Sequence, residues 1–311
     1  MFLSAFTTPR LGKAAGKTNL KLLLTVAAGL GLGTVFSSYI RIPKASFATR
    51  LILGWGKSVR REVEPGVSLR LDPHDFVQKQ ILIDGEWEPQ IWRPMSALLP
   101  EGGVLLDVGA HIGYYSLKGS VKVGKRGQVI AFEPNPVTVQ LLRDNLEASK
   151  AQNVTVQPVA CTDREQMLTL YAGPEKNIGI TSLSRENVEV WRKIWDENPK
   201  TIPTFTVRGR PIDGVVRELG SKRVDAIKID VEGAEYYVLR GAVDTLKRFH
   251  PAVFIELVPR QLAGMHTTVE QVIGVLKEAG YNRSRQLDDS DWEWTRLEQS
   301  SAAKEASPSH Q

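Results

Sequence analysis

Acidic side chains recur in this chain where a run of apolar residues ends. Asp107, Gly109 and Gly113 form Asp-x-Gly-x-x-x-Gly within VLLDVGAHIGYYSL, residues 104–117. Glu133 closes a second apolar run, VIAFEPNP, 26 residues after Asp107. A third run, VDAIKIDVEGAEYYVLRGA, delivers Asp230 and Glu232, with Gly233 and Glu235 directly behind them. A carboxylate can hold a cation, accept from hydroxyl groups or take up a proton, and the three positions suit these tasks in turn.

The glycine turn departs from two familiar phosphate cradles. In the dinucleotide fingerprint Gly-x-Gly-x-x-Gly, the middle glycine lets backbone approach a pyrophosphate. Here His111 fills that position, and Asp107 would repel a phosphate. The triphosphate loop Gly-x-x-x-x-Gly-Lys-Ser/Thr is absent. What fits is a nucleoside ligand with a positive charge and no phosphate. S-adenosylmethionine has that make-up: adenosine, a sulfonium and an ammonium-bearing tail. Glu133 would then accept the ribose hydroxyls, by the logic of the ribose acid in dinucleotide sites. Ala160 and Cys161, in VACTD, would border the adenine; for Cys161 the competing reading is a small buried hydrophobe.

Asp230 and Glu232, two residues apart at a strand end, should point to one side. Their mutual repulsion calls for a cation, a proton or a donor between them. A hydroxyl becomes a good nucleophile as its proton leaves, so a nearby base helps. Asp230 ranks first for that role, Glu232 second and His111 third. A divalent metal shared by Asp230 and Glu232 is the lower-ranked alternative, since no third ligand is evident.

Elements that could position these groups follow from periodicity. Short continuous apolar runs at 104–108, 128–133, 154–160, 224–230 and 252–257 read as strands buried on both faces. Helices fall between them. Asn135 can cap one that opens with Pro136 and lines Val139, Leu142 and Leu146 on one face. The stretches from 233 to 249 and from 268 to 281 are helical in the same way, the second ending at Gly280. Strand–helix alternation of this kind builds an α/β fold, a mainly parallel sheet with helices on both faces. One insertion interrupts it: a strand at 167–173, a helical face of Val188, Trp191 and Trp195, and a strand near 204–207. That helix either packs on the sheet edge or lies as a lid beside the ligand crevice.

Taken together, DVGAHIGYYSL, AFEPNP, IDVEGAEYYVLRGA and FIEL resemble the FkbM-type methyltransferases over about 104–281. The Asp-Val-Glu-Gly-x-Glu element is the most family-specific of these pieces. The resemblance implies a class I methyltransferase, Rossmann-like sheet of about seven strands. It also implies S-adenosylmethionine as cofactor and O-methylation of a sugar, glycolipid or polyketide-like hydroxyl. Carried over by position, Asp107, Gly109 and Gly113 form the first motif, Glu133 binds ribose, and Asp230 stands at the reacting end. His111 takes a place often held by Asn. Two rivals use other chemistry: a nicotinamide oxidoreductase on the same sheet, and a membrane scaffold that binds no cofactor.

The remaining bounds concern partners and place. Forty basic residues against 35 acidic give +5, without a dense Lys/Arg block, so nucleic acid is not implied. Cys161 is the single cysteine, which excludes an intrachain disulfide and a Cys-cluster metal site. Residues 1–45 form a basic and apolar leading segment, an N-terminal extension of the fold. Within it, residues 22–40 carry no charge over 19 positions, near the minimum for a span of roughly 17–25. Gly29 and Gly33 add a Gly-x-x-x-Gly step. This segment reads either as a membrane anchor or as a packed helix; a cytoplasmic location is expected, with the catalytic part on the cytoplasmic face of any membrane. Residues 46–100 read as a leading subdomain, 101–297 as the methyltransferase domain and 298–311 as a disordered tail.

Overall fold

A computed structural model describes residues 58–296, all within one compact unit, Lys44–Gln311. The charge-free stretch 22–40 and the tail from 298 lie outside the described residues. Among the described residues no helix is long and apolar enough to cross a membrane.

The chain enters as an antiparallel hairpin, β1 (Val59–Glu64) and β2 (Val67–Leu71), followed by α1 (Phe76–Asp84) and α2 (Pro89–Leu98). Asp75 caps α1 through its Oδ1, which accepts the Gln78 N–H at 2.9 Å. Then the alternation begins: β3 (Val104–Val108), α3 (Tyr114–Val123), β4 (Gln128–Phe132), α4 (Pro136–Ala148) and β5 (Val154–Gln157). The Asn135 side chain accepts the Val137 N–H, and Pro136 opens α4. An insertion follows, comprising β6 (Ala160–Cys161), β7 (Gln166–Tyr171), α5 (Arg185–Ile194) and β8 (Thr204–Arg210). The main alternation resumes with α6 (Ile212–Glu218), β9 (Ala226–Ile229), α7 (Glu235–Arg240), α8 (Val243–Phe249) and β10 (Ala252–Glu256). The described chain closes with α9 (Pro259–Ala263), α10 (Val269–Glu278), β11 (Arg283–Gln286) and β12 (Asp291–Thr295).

The seven-stranded sheet has the order β11-β12-β10-β9-β3-β4-β5. Strands β10, β9, β3, β4 and β5 pair in parallel, and β12 runs against both of its neighbours. Side-chain alternation divides the core between the two sheet faces. Leu106, Ile130, Ile227 and Val253 pack with Val215, Leu246 and Leu276 from helices on one face. Leu105, Val129, Ala226 and Phe254 pack with Met95, Leu117 and Leu142 on the other. This is the class I methyltransferase arrangement, a mostly parallel Rossmann-like sheet covered on both faces.

Several boundaries differ from the periodic reading, each for a local reason. The expected strand 154–160 breaks after Gln157, where Pro158 has no N–H for the ladder. Ala160 and Cys161 pair with β8 instead, in a separate three-stranded sheet β6-β8-β7. The helix expected over 233–249 divides into α7 and α8 at Gly241, where a Cβ would stand 2.1 Å from the Thr162 carbonyl oxygen. The β11–β12 hairpin escapes periodicity, because every residue of β11 is exposed.

Candidate active site

The turn from β3 into α3 is built around two glycines. Gly109 has φ of 87°, and a Cβ there would lie 1.9 Å from the backbone oxygen of Asp230. That contact brings the ends of β3 and β9 together and leaves no room for any other residue. Gly113, φ 91°, stands at the N-terminus of α3. Between them His111 takes φ of 51°, a left-handed conformation costly for a residue with a Cβ.

Glu133 stabilises that conformation. It sits just past β4 and is 6% exposed. Its Oε2 accepts the His111 N–H at 2.8 Å, and its Oε1 accepts the Asn135 N–H at 2.9 Å. Burial pushes its carboxyl up, against these hydrogen bonds. The Thr138 hydroxyl also lies against this carboxyl; a carboxylate offers about four acceptor positions, which leaves capacity for a ligand hydroxyl. Asp107 is fully buried; its Oδ2 accepts from Ser116 Oγ at 2.6 Å, while Oδ1 has no partner. Burial raises its proton affinity, and the charge of Lys228 opposes that rise.

Asp230 follows β9 and meets Lys228, whose Nζ lies 2.8 Å from Asp230 Oδ2. Lys228 is 5% exposed, stands opposite Asp107 in the β3–β9 register, and places its ammonium 4.7 Å from the Tyr115 ring centroid. Burial disfavours its charge, but Asp230, Glu88 and Asp107 outweigh that and push the ammonium well up. The expected alternation of Asp230 and Glu232 therefore needs correction. The strand ends at Ile229, and Glu232 adopts φ of 56° in a turn beyond it. Strand periodicity does not apply there, and Asp230's ion-pair partner is an ammonium.

Glu232 is locked from three sides. Ser182 Oγ and Asn187 Nδ2 donate to its backbone oxygen at 2.8 and 3.2 Å, and Gln261 Nε2 donates to its Oε2. Burial, then the charge of Asp230, pushes its carboxyl well up. Glu235 shapes the same turn, its Oε1 accepting the Val231 and Gly233 N–H groups at 3.3 and 3.1 Å. Burial lifts Glu235 to about 7, and Glu256 beside it is also pushed well up by burial. Among the described residues no three His, Cys, Asp or Glu side chains are grouped to hold a metal ion.

The His111 ring has a buried Nε2 without a partner. A Cβ on Gly179, in the insertion, would be 3.6 Å from that nitrogen. Burial lowers His111 to about 4, so the ring is neutral near pH 7. Ala160 and Cys161 lie in β6, buried; Cys161 belongs to the apolar cluster with Val159 and Ile130, and burial pushes its thiol up. The structure thus gathers Asp107, Gly109, His111, Gly113 and Glu133 around one turn, with Asp230 and Glu232 at the neighbouring strand end. Sequence reasoning missed Lys228 and Arg260. A lysine inside the apolar run AIKID was the visible signal for the first; the second carried none.

The turn fits S-adenosylmethionine in its chemistry: a glycine without space for a side chain, an acid with acceptor positions to spare, and an unpartnered buried carboxylate oxygen. A family model described as the Methyltransferase FkbM domain matches residues 107–283. AMB antimetabolite synthetase AmbE of Pseudomonas aeruginosa is 27% identical over 243 residues, 71% of this chain but 11% of that protein. Methyltransferase sdnD of Sordaria araneosa is 25% identical over 70% of this chain and 85% of its own. The hexuronic acid methyltransferase AglP of Haloferax volcanii is 28% identical over 51% of this chain and 58% of its own. Among solved structures, an FkbM methyltransferase from Methylobacillus flagellatus KT aligns with a TM-score of 0.40 and 17% identity, over 79% of this chain and 58% of that one.

Proposed function

The chain belongs to the FkbM methyltransferase family, and from that premise we propose that it O-methylates a hydroxyl of a sugar, glycolipid or polyketide-like acceptor, with Asp230 as proton acceptor. Its cofactor is S-adenosylmethionine, which when bound supplies an electrophilic methyl group on a sulfonium. In this reading Glu133 takes the ribose hydroxyls with its remaining acceptor capacity. Gly109 and Gly113 admit the ligand to the turn, Asp107 offers its unpartnered oxygen toward the cationic tail, and Ala160 and Cys161 border the base. Likeness to a hexuronic acid methyltransferase favours a sugar among the acceptor classes.

The observation that carries the choice of base is access. The Asp230 side chain is 32% exposed, whereas Glu232 is engaged by Gln261 and His111 Nε2 is shut away from solvent. Lys228 holds the Asp230 carboxylate in place as the acceptor's proton departs. Asp230→Asn keeps shape and volume but cannot take the proton. Its turnover should fall about a hundredfold or more, the scale of general base catalysis, with cofactor affinity little changed. The measurement is methyl-labelled S-adenosylmethionine transfer to a panel of sugars, uronic acids and glycolipids, with the product analysed for a methyl ether. Wild-type turnover in Asp230→Asn removes Asp230 as base; a parallel collapse of S-adenosylhomocysteine binding makes it a binding residue.

A second element of the proposal is membrane attachment through residues 22–40, supported by their charge-free length and the basic residues before them. Full-length protein should then sediment with membranes and resist a high-salt wash. Recovery wholly in the soluble fraction argues for a packed helix.

A further inference from the structure

Beyond Asp230, the most unusual charge at this end of the sheet is Arg260, one residue into α9 after β10. Its Nε and Nη2 are both buried without a hydrogen-bond partner. These two nitrogens share one edge of the guanidinium plane. Their N–H bonds run parallel, in the fork that takes a carboxylate or phosphate with two hydrogen bonds. A guanidinium cannot shed its charge to escape the cost, so this edge is suited to take an anion.

The surroundings define which anion. The acids whose charges reach Arg260 are Glu232 and Glu186, and neither forms an ion pair with it among the described residues. Glu232 is instead bonded to Gln261. Asp230 is matched by Lys228. The Nε–Nη2 edge of Arg260 is thus taken up by neither acid. Its guanidinium lies 5.9 Å from the centre of the Trp191 ring on α5, at the strand C-terminal edge where open α/β sheets bind ligands.

We propose that Arg260 docks an oxyanion of the methyl acceptor, a carboxylate or a phosphate, through its Nε–Nη2 edge beside Glu232 and Trp191. The acceptor would therefore be an acidic sugar derivative, with the anion gripped by Arg260 and the reacting hydroxyl presented to Asp230. This rests on the reading of that edge as the acceptor side of an O-methyltransferase, but its test does not require turnover.

Full-length protein saturated with S-adenosylhomocysteine is titrated calorimetrically with glucuronate, glucose 6-phosphate and glucose. The expected result is at least tenfold tighter binding of one of the two anionic sugars than of glucose; which of them wins distinguishes carboxylate from phosphate. Arg260→Met keeps the stem against Trp191 and should abolish the preference, and Arg260→Lys should weaken it because the fork is lost. S-adenosylhomocysteine affinity and thermal midpoint should stay unchanged in both. Equal binding of the three sugars by the wild type overturns the proposal, as does a preference that survives in Arg260→Met. A methyl ether formed on sugars without any anionic preference sinks this inference and leaves the O-methylation reading standing. An anionic preference with no methyl ether among the products sinks the O-methylation reading and leaves Arg260 as an anion site.

Discussion

Glu133 holds the cofactor turn with the same carboxylate that the ribose would use: one oxygen takes the His111 N–H and the other the Asn135 N–H. Replacing it with alanine removes both the ligand acceptor and the two internal bonds. Glu133→Ala should weaken S-adenosylhomocysteine binding by about 1.5–3 kcal/mol, the range for hydrogen bonds to a charged group, while the strand before it still folds. Titration calorimetry on the folded variant checks this, and unchanged affinity removes Glu133 from the site. Glu133, Asp107 and Asp230 were legible in the sequence because an acid at the end of an apolar run stands out against its neighbours. Lys228 and Arg260 were not. Their meaning comes from partners on other elements: Lys228 lies between Asp107 and Asp230 only once β3 and β9 pair in register, and Arg260 meets Trp191 only once the insertion folds back.

At the level of elements, the two glycines of the turn carry unequal burdens although both have positive φ. A Cβ on Gly109 would meet the Asp230 backbone oxygen at 1.9 Å, and one on Gly113 would meet Leu142 Cδ1 at 2.5 Å. A leucine methyl can rotate away; a carbonyl inside a paired sheet end cannot. Both alanine variants incur the left-handed penalty of roughly 1–2 kcal/mol. Gly109→Ala must also part β3 from the end of β9, and its total cost should be on the order of 4 kcal/mol or more. Urea denaturation of the two variants side by side tests the ranking, and equal losses refute it. The parallel strands themselves were readable because strands buried on both faces are unbroken apolar runs. The break at Pro158 and the split at Gly241 depend on what lies opposite each residue in space, which periodicity does not encode.

The molecule as a whole buries an unusual set of acids, and this links its stability to pH. Asp75 is raised to about 6 and Glu235 to about 7, burial being the main cause in both. Glu232, Glu256 and Asp291 are displaced the same way, again chiefly by burial. A carboxyl whose folded value is raised binds its proton more tightly folded than unfolded. Its stabilising contribution is complete below the unfolded value and is lost as pH rises through the folded one. His111 works in the opposite direction: lowered to about 4 by burial, it adds stability as pH climbs from about 4 toward its ordinary value of about 6.5. The acids outnumber it, so the cofactor-free protein should lose stability as pH rises from 5 to 8. Glu235→Gln isolates one contribution. It keeps an oxygen for the Val231 and Gly233 N–H groups but has no proton to lose. With Glu235 raised from its ordinary value of 4.5 to about 7, the loss between pH 5 and pH 8 should shrink in the variant, by up to about 3 kcal/mol. Urea midpoints at the two pH values measure it; an identical loss in wild type and Glu235→Gln would show that Glu235 does not carry its proton in the folded state.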